Sequence, residues 1–195
     1  MPLWGITDEA KPKWLTDSEK KEVYANNSGW VVEAGSKMTG NGNANAQPEV
    51  LCCIGDLDDR LQNATITEIE FITPLAGGTF DKSAGGNISV RVRWNEAVTV
   101  TGTPRFVINN TTSSSRHQTC DYVSGSGTNE LIFGKTLGAA SADINANDVL
   151  NVIANPLAQN GGSTIKDTGT STDSSITSSA TIGDVFSFMS LPYKQ

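Results

Sequence analysis

Between Ile66 and Asp167 apolar and polar residues alternate in short runs broken by Gly, Asn, Ser and Pro. That pattern leaves a β-sheet protein as the main option. In Asn87-Ile88-Ser89-Val90-Arg91-Val92-Arg93-Trp94 the residues Ile88, Val90, Val92 and Trp94 share one face, and Ser89, Arg91 and Arg93 the other. This is the period-two signature of a half-buried strand. The same alternation returns in Arg105-Phe106-Val107-Ile108, Cys120-Asp121-Tyr122 and Leu131-Ile132-Phe133. Turn clusters such as Gly102-Thr103-Pro104 and Ser124-Gly125-Ser126-Gly127 separate them. Several short strands at regular spacing predict an all-β fold, a β-sandwich.

Residues 1–63 differ, holding three of the four tryptophans and 10 of the 21 acidic residues. They read as a separate N-terminal arm or mini-domain, followed by a sandwich over 64–183 and a C-terminal tail over 184–195. Thr16 and Glu19 form a capping-box pattern at the start of a short helix that runs toward Tyr24. Gly29–Glu33 and Glu49–Ile54 read as two strands joined by an Asn- and Gly-rich loop. About 60 residues bury little surface alone, so the module is expected to pack on a partner. Trp4, Trp14, Tyr24 and Trp30 are its candidate docking residues, because aromatic side chains dominate protein interfaces; the alternative for each tryptophan is burial of one face against the sandwich.

Composition narrows the function. A net charge of −7 disfavours a nucleic-acid partner. No run of 18 apolar residues occurs, so no membrane span is expected. The start, Met1-Pro2-Leu3-Trp4-Gly5-Ile6, lacks a basic leader and an apolar stretch, and synthesis in a cytoplasm is expected. Cys52, Cys53 and Cys120 offer no disulfide framework and read as small apolar residues in a reducing compartment.

His117 is the single histidine, so any nucleophilic triad would need it, yet it falls between a turn and a strand. The C-x-x-C spacing of zinc sites is missing, and no cofactor is expected. Asp56, Asp58 and Asp59, and the stretch Asp143–Asp148, offer oxygen ligands to Ca²⁺ but read first as turn formers. A glycan hydrolase needs two carboxylates at a fixed separation, and nothing in the sequence pairs Glu68, Glu70 and Glu96. The pair Arg91 and Arg93 reads as a solvated outer face, with contact to an acidic neighbour in an assembly as the alternative.

Two resemblances follow from these motifs. Trp94-Asn95-Glu96-Ala97-Val98-Thr99-Val100-Thr101-Gly102-Thr103-Pro104, with Tyr122–Thr128 and Asn160–Asp167, resembles the bacterial Ig-like repeats of large cell-surface and adhesin-like proteins. That resemblance implies the fold and leaves function open, since such domains serve as spacers, binders and virion decorations. Trp4-Gly5-x-Thr7-Asp8, Lys11-Pro12-Lys13-Trp14-Leu15, Gly29-Trp30-Val31 and Glu49-Val50-Leu51 are similar to short structural proteins of cyanophages and related marine tailed phages. The basic residue usual before the last motif is replaced by Gln47-Pro48, which alters the expected docking contact.

Together they imply a non-enzymatic virion structural protein, made in the host cytoplasm. In this reading it is a capsid decoration (cement) protein whose N-terminal module binds the major capsid protein or other virion proteins. Homo-oligomerisation and a host-surface glycan stay open as further partners. The alternative is a tail, neck or fibre-associated protein whose Ig-like domain binds the host surface.

Overall fold

The computed structural model describes residues 10–55, 57, 63–73, 84–112, 116–145, 148–179 and 188–190. Among the described residues the chain is all-β and sandwich-like apart from one short helix.

The first module begins with α1 (Asp17–Lys21), capped by Thr16, whose side chain accepts the Glu19 N–H while the Glu19 carboxylate accepts the Thr16 N–H. That reciprocal pair satisfies two donors a helix start leaves free. The helix stops short of Tyr24. The run Val23-Tyr24-Ala25 instead enters β1 (Val23–Asn26), which pairs with β2 (Gly29–Val32) and through it with β3 (Glu49–Cys53). Tertiary pairing overrides the helical reading of these residues. Gly29 has φ +124°, and a Cβ there would collide with the Cys52 carbonyl and the Ile54 amide. Only glycine lets β3 close on the hairpin at that point. Inside, Leu15, Val23, Ala25, Trp30, Val32 and Leu57 form a small core of their own.

The remaining strands build the sandwich. They are β4 (Ile66–Thr73), β5 (Gly86–Thr101), β6 (Arg105–Asn110), β7 (Gln118–Ser124), β8 (Thr128–Leu137), β9 (Val149–Asn151), β10 (Leu157–Ala158), β11 (Thr164–Asp167) and β12 (Phe188–Ser190). Strands β6, β7, β8 and β5 are successive antiparallel neighbours. β9 and β10 extend one side of this run, and β4 and β11 the other. β12, from the tail, pairs with β9. Inward side chains from both sides meet in one core that includes Ile69, Val90, Trp94, Phe106, Phe133, Leu150 and Ile165.

β5 organises the fold. Its first half lies between β4 and β8, with Val90 opposite Phe71 and Phe133; its second half pairs with β11, Val100 opposite Ile165. Between Arg93 and Val98 the register with β8 shifts, so that Trp94–Ala97 bulge out against Asn129 alone. A bulge frees backbone groups and bends a strand. Here it receives the first module: Ala25 of β1 pairs in parallel with Glu96, and Tyr24, Val31 and Ala97 pack together across the joint.

Candidate functional site

The joint between module and sandwich carries the densest polar chemistry among the described residues. Because β4, β5 and β8 are in register, the residues on their outer face form cross-strand pairs: Arg93 stands opposite Glu68 and Glu130, and Arg91 opposite Glu70. Opposite charges facing each other across strands stabilise a sheet. The Arg93 guanidinium donates to Glu68 at 2.5 Å and also to Glu130, and it reaches out of the sandwich to Glu33, just past β2, at 2.9 Å. Lys21 of α1 adds a second tie from the module, 3.1 Å from Glu68. Arg91 pairs with Glu70 and lies 3.5 Å from Glu130.

Arg93 is only 8% exposed. The expectation of a solvated arginine face is therefore corrected: that face is a docking face inside the chain, because the first module covers it. The missing signal in the sequence was long-range, since Glu33 is the partner of an arginine far along the chain.

The electrostatics follow from this crowding. Burial, and then the Glu130 carboxylate, push the Glu33 carboxyl up to about 7, although Arg93 opposes them. Burial also acts on Glu68, but the Arg93 guanidinium and Lys21 outweigh it and hold that carboxyl below its ordinary range. Tyr24, at the edge of the cluster, is pushed up to about 12 by burial and by Glu33 and Glu130. Beside the cluster a cleft of about 530 Å³ opens between the module and the β7–β8 turn, lined by Tyr24, Glu33, Gln47, Asn129 and Glu130 among others. Gly125, at φ +110°, lets that turn fold tightly over the Glu130 carbonyl, where any Cβ would clash.

The four docking candidates fare differently. Trp14 is 69% exposed, on the turn before α1. Trp30 lies in the core of the module and Tyr24 in the joint, so neither is available to an outside partner; both are corrected to structural roles. Alternation along a strand cannot tell a side chain buried in its own module from one buried in a complex. Trp4 lies outside the described residues. Val50 of β3, 54% exposed, is an apolar surface residue that the docking candidates left out. Among the described residues no strand pairs with the outer edge of β3.

The other chemical candidates settle into structural places. His117 accepts the Asn110 N–H through Nδ1 at 3.2 Å, closing the end of β6. Asp148 accepts from the Asn145 N–H and the Asn110 amide, both at 2.7 Å, as a turn-forming aspartate does. Asp56, Asp58 and Asp59 lie outside the described residues. Glu68 and Glu70 are bound to different arginines, and Glu96 is buried in the bulge. Among the described residues no group of three or more His, Cys, Asp or Glu is arranged to hold a metal ion, and no helix is long and apolar enough to cross a membrane.

The cysteines are free thiols in contrasting settings. Cys53 is exposed, whereas burial in the sandwich core pushes the Cys120 thiol up to about 12. Iodoacetamide near pH 8 is expected to modify Cys53 within minutes and Cys120 only after denaturant is added, because the thiolate is the reactive species. Mass spectrometry of peptides from a time course checks this; native-state labelling of Cys120 at the rate of Cys53 would contradict the closed core.

No protein-family model matches this chain, and no curated protein or solved structure shows significant similarity to it.

Proposed function

We propose that this chain is a non-enzymatic structural protein of a tailed-phage virion, a capsid decoration protein that docks through its N-terminal module and displays the sandwich outward. The observation that carries the reading is the division of labour within the module. One side is tied to the sandwich by Arg93, Glu33 and Lys21, while elsewhere Trp14, Val50 and an edge of β3 that no strand pairs with among the described residues remain exposed. An exposed aromatic side chain, an exposed apolar one and an open strand edge each suit burial against another protein, by side-chain packing and strand addition. The similarity of the Trp14 and Glu49-Val50-Leu51 motifs to phage structural proteins points to a virion as that protein's setting. The carboxylates support a structural role too: Glu33, Glu68 and Glu130 all converge on one guanidinium, which is an arrangement for cohesion.

Quantitative mass spectrometry of purified virions tests the assignment. A ratio to the major capsid protein near one, or a simple fraction giving hundreds of copies, supports decoration. A few copies per particle would shift the protein to the neck, tail or fibres, and absence would end the virion reading. The docking surface has its own test in Trp14→Ala combined with Val50→Asp. Burying a large apolar side chain contributes about 1.5–3 kcal/mol, so the double variant is expected to lower occupancy on particles at least ~10-fold while its melting temperature stays close to that of the parent. Full occupancy would show that docking uses another surface.

A further inference from the structure

The ion cluster at the joint has more acid than base. Glu33, Glu68, Glu70 and Glu130 meet Arg91, Arg93 and Lys21 through the ion pairs described above, so four carboxylates face three cations. With every group ionised the cluster keeps one uncompensated negative charge. A single bound proton removes it.

The geometry gives that proton a place. Glu33 Oε1 accepts from Arg93, but its buried Oε2 has no hydrogen-bond partner. Glu33 and Glu130 accept from the same Arg93 guanidinium, which holds the two carboxylates next to each other, and the Glu130 charge raises the proton affinity of Glu33. Two ionised carboxylates cannot bond to each other, whereas a proton on Oε2 turns it into a donor and Glu130 into its acceptor. Glu33 belongs to the module and Glu130 to β8 of the sandwich, so the proton would bridge the two parts of the chain. We propose that the joint is a proton-operated latch, in which one proton shared by Glu33 and Glu130 holds the N-terminal module against the sandwich and its loss loosens the module. The inference is independent of what the module docks against.

The pH window follows from the groups that face the pair: Lys21 from α1, Tyr24 from β1, Glu68 and Glu70 from β4, and Arg91 and Arg93 from β5. Burial opposes the charge of Arg93, but the surrounding carboxylates push its guanidinium up and it stays charged, while Tyr24, pushed up to about 12, stays neutral. Glu33 titrates near 7 in the closed joint against an ordinary value of 4.5. A closed state that binds the proton more tightly than the open one is favoured below the ordinary value and loses that advantage as pH rises through 7. Glu68 acts with the opposite sign: held low by Arg93 and Lys21, it favours closure above 4.5 and gives this up as pH falls further. The latch is therefore tightest in mild acid, between the two transitions.

Hydrogen exchange of the full-length protein reads the latch directly. Protection of the β1–β2 amides, normalised to intrinsic exchange and compared with β8, is expected to fall about 10-fold between roughly pH 5.5 and roughly pH 8. Glu33→Gln carries the amide hydrogens that a protonated glutamate would supply. It is expected to keep the acid-side protection at both pH values. A constant ratio in the parent protein, or a Glu33→Gln variant as pH-dependent as the parent, would overturn the proposal. If Glu33→Gln does not fold, Glu130→Gln must abolish the same pH dependence, and a Glu33 carboxyl titrating below about 5 by carbon NMR would refute the shared proton.

Discussion

Arg93→Ala is expected to destabilise the protein by about 3–5 kcal/mol at neutral pH, the range seen when one partner of a buried ion pair is removed. The side chain is closely enclosed, and three carboxylates depend on it. Without the guanidinium, Glu33, Glu68 and Glu130 face one another in a desolvated joint with only Lys21 and Arg91 near them. Arg91→Ala makes the internal comparison: Arg91 has about a quarter of its side chain in solvent and fewer partners, so its loss should cost at most about 1–2 kcal/mol. Urea unfolding of the two variants side by side measures the difference. If Arg93→Ala cost no more than Arg91→Ala, the cluster would be a surface ornament. Adding Glu130→Gln to Arg93→Ala should recover part of the loss, since it removes one stranded charge.

The second large effect lies in the small core. Trp30 is 2% exposed and is the largest side chain of a cluster with few members. Trp30→Ala is expected to cost about 3–5 kcal/mol, more than a module of this size holds in reserve. The consequence should be local. Residues 10–55 would become sensitive to protease, while the sandwich core around Val90 and Phe133, which Trp30 does not touch, survives. Limited proteolysis with intact-mass readout tests it, and a variant lost as a single unit would mean that module and sandwich unfold together.

The sandwich was legible because its strands obey a local rule. Ile88, Val90, Val92 and Trp94 all turn inward as their spacing requires, and Arg105–Ile108 alternates as read. The capping box at Thr16 and Glu19 was equally visible, because both partners lie within one helical turn. What stayed hidden depends on residues far apart. Nothing in Val23-Tyr24-Ala25 announces that it will pair with Glu96, and no local pattern in Gly86–Thr101 reveals that one strand bends across a bulge. β9 and β10 are too short to carry a period of their own. For the same reason the candidate site was invisible: Arg93 looks solvated until Glu33 is brought over it from another part of the chain. The aromatic docking set was half misplaced, since composition marks Tyr24 and Trp30 as interface-like without saying that the interface is internal.

The parallel pairing of Ala25 with Glu96 also sets an order of events during synthesis. The module leaves the ribosome first, yet the strand it joins and the carboxylate it shares a proton with come later, Glu130 roughly a hundred residues after Glu33. At ordinary elongation rates that separation lasts on the order of 10 s. Throughout that interval the nascent hairpin has its own small core but no sandwich to lean on, so Tyr24 and Val31 stay uncovered. The part of the chain made first waits for partners made about a hundred residues later.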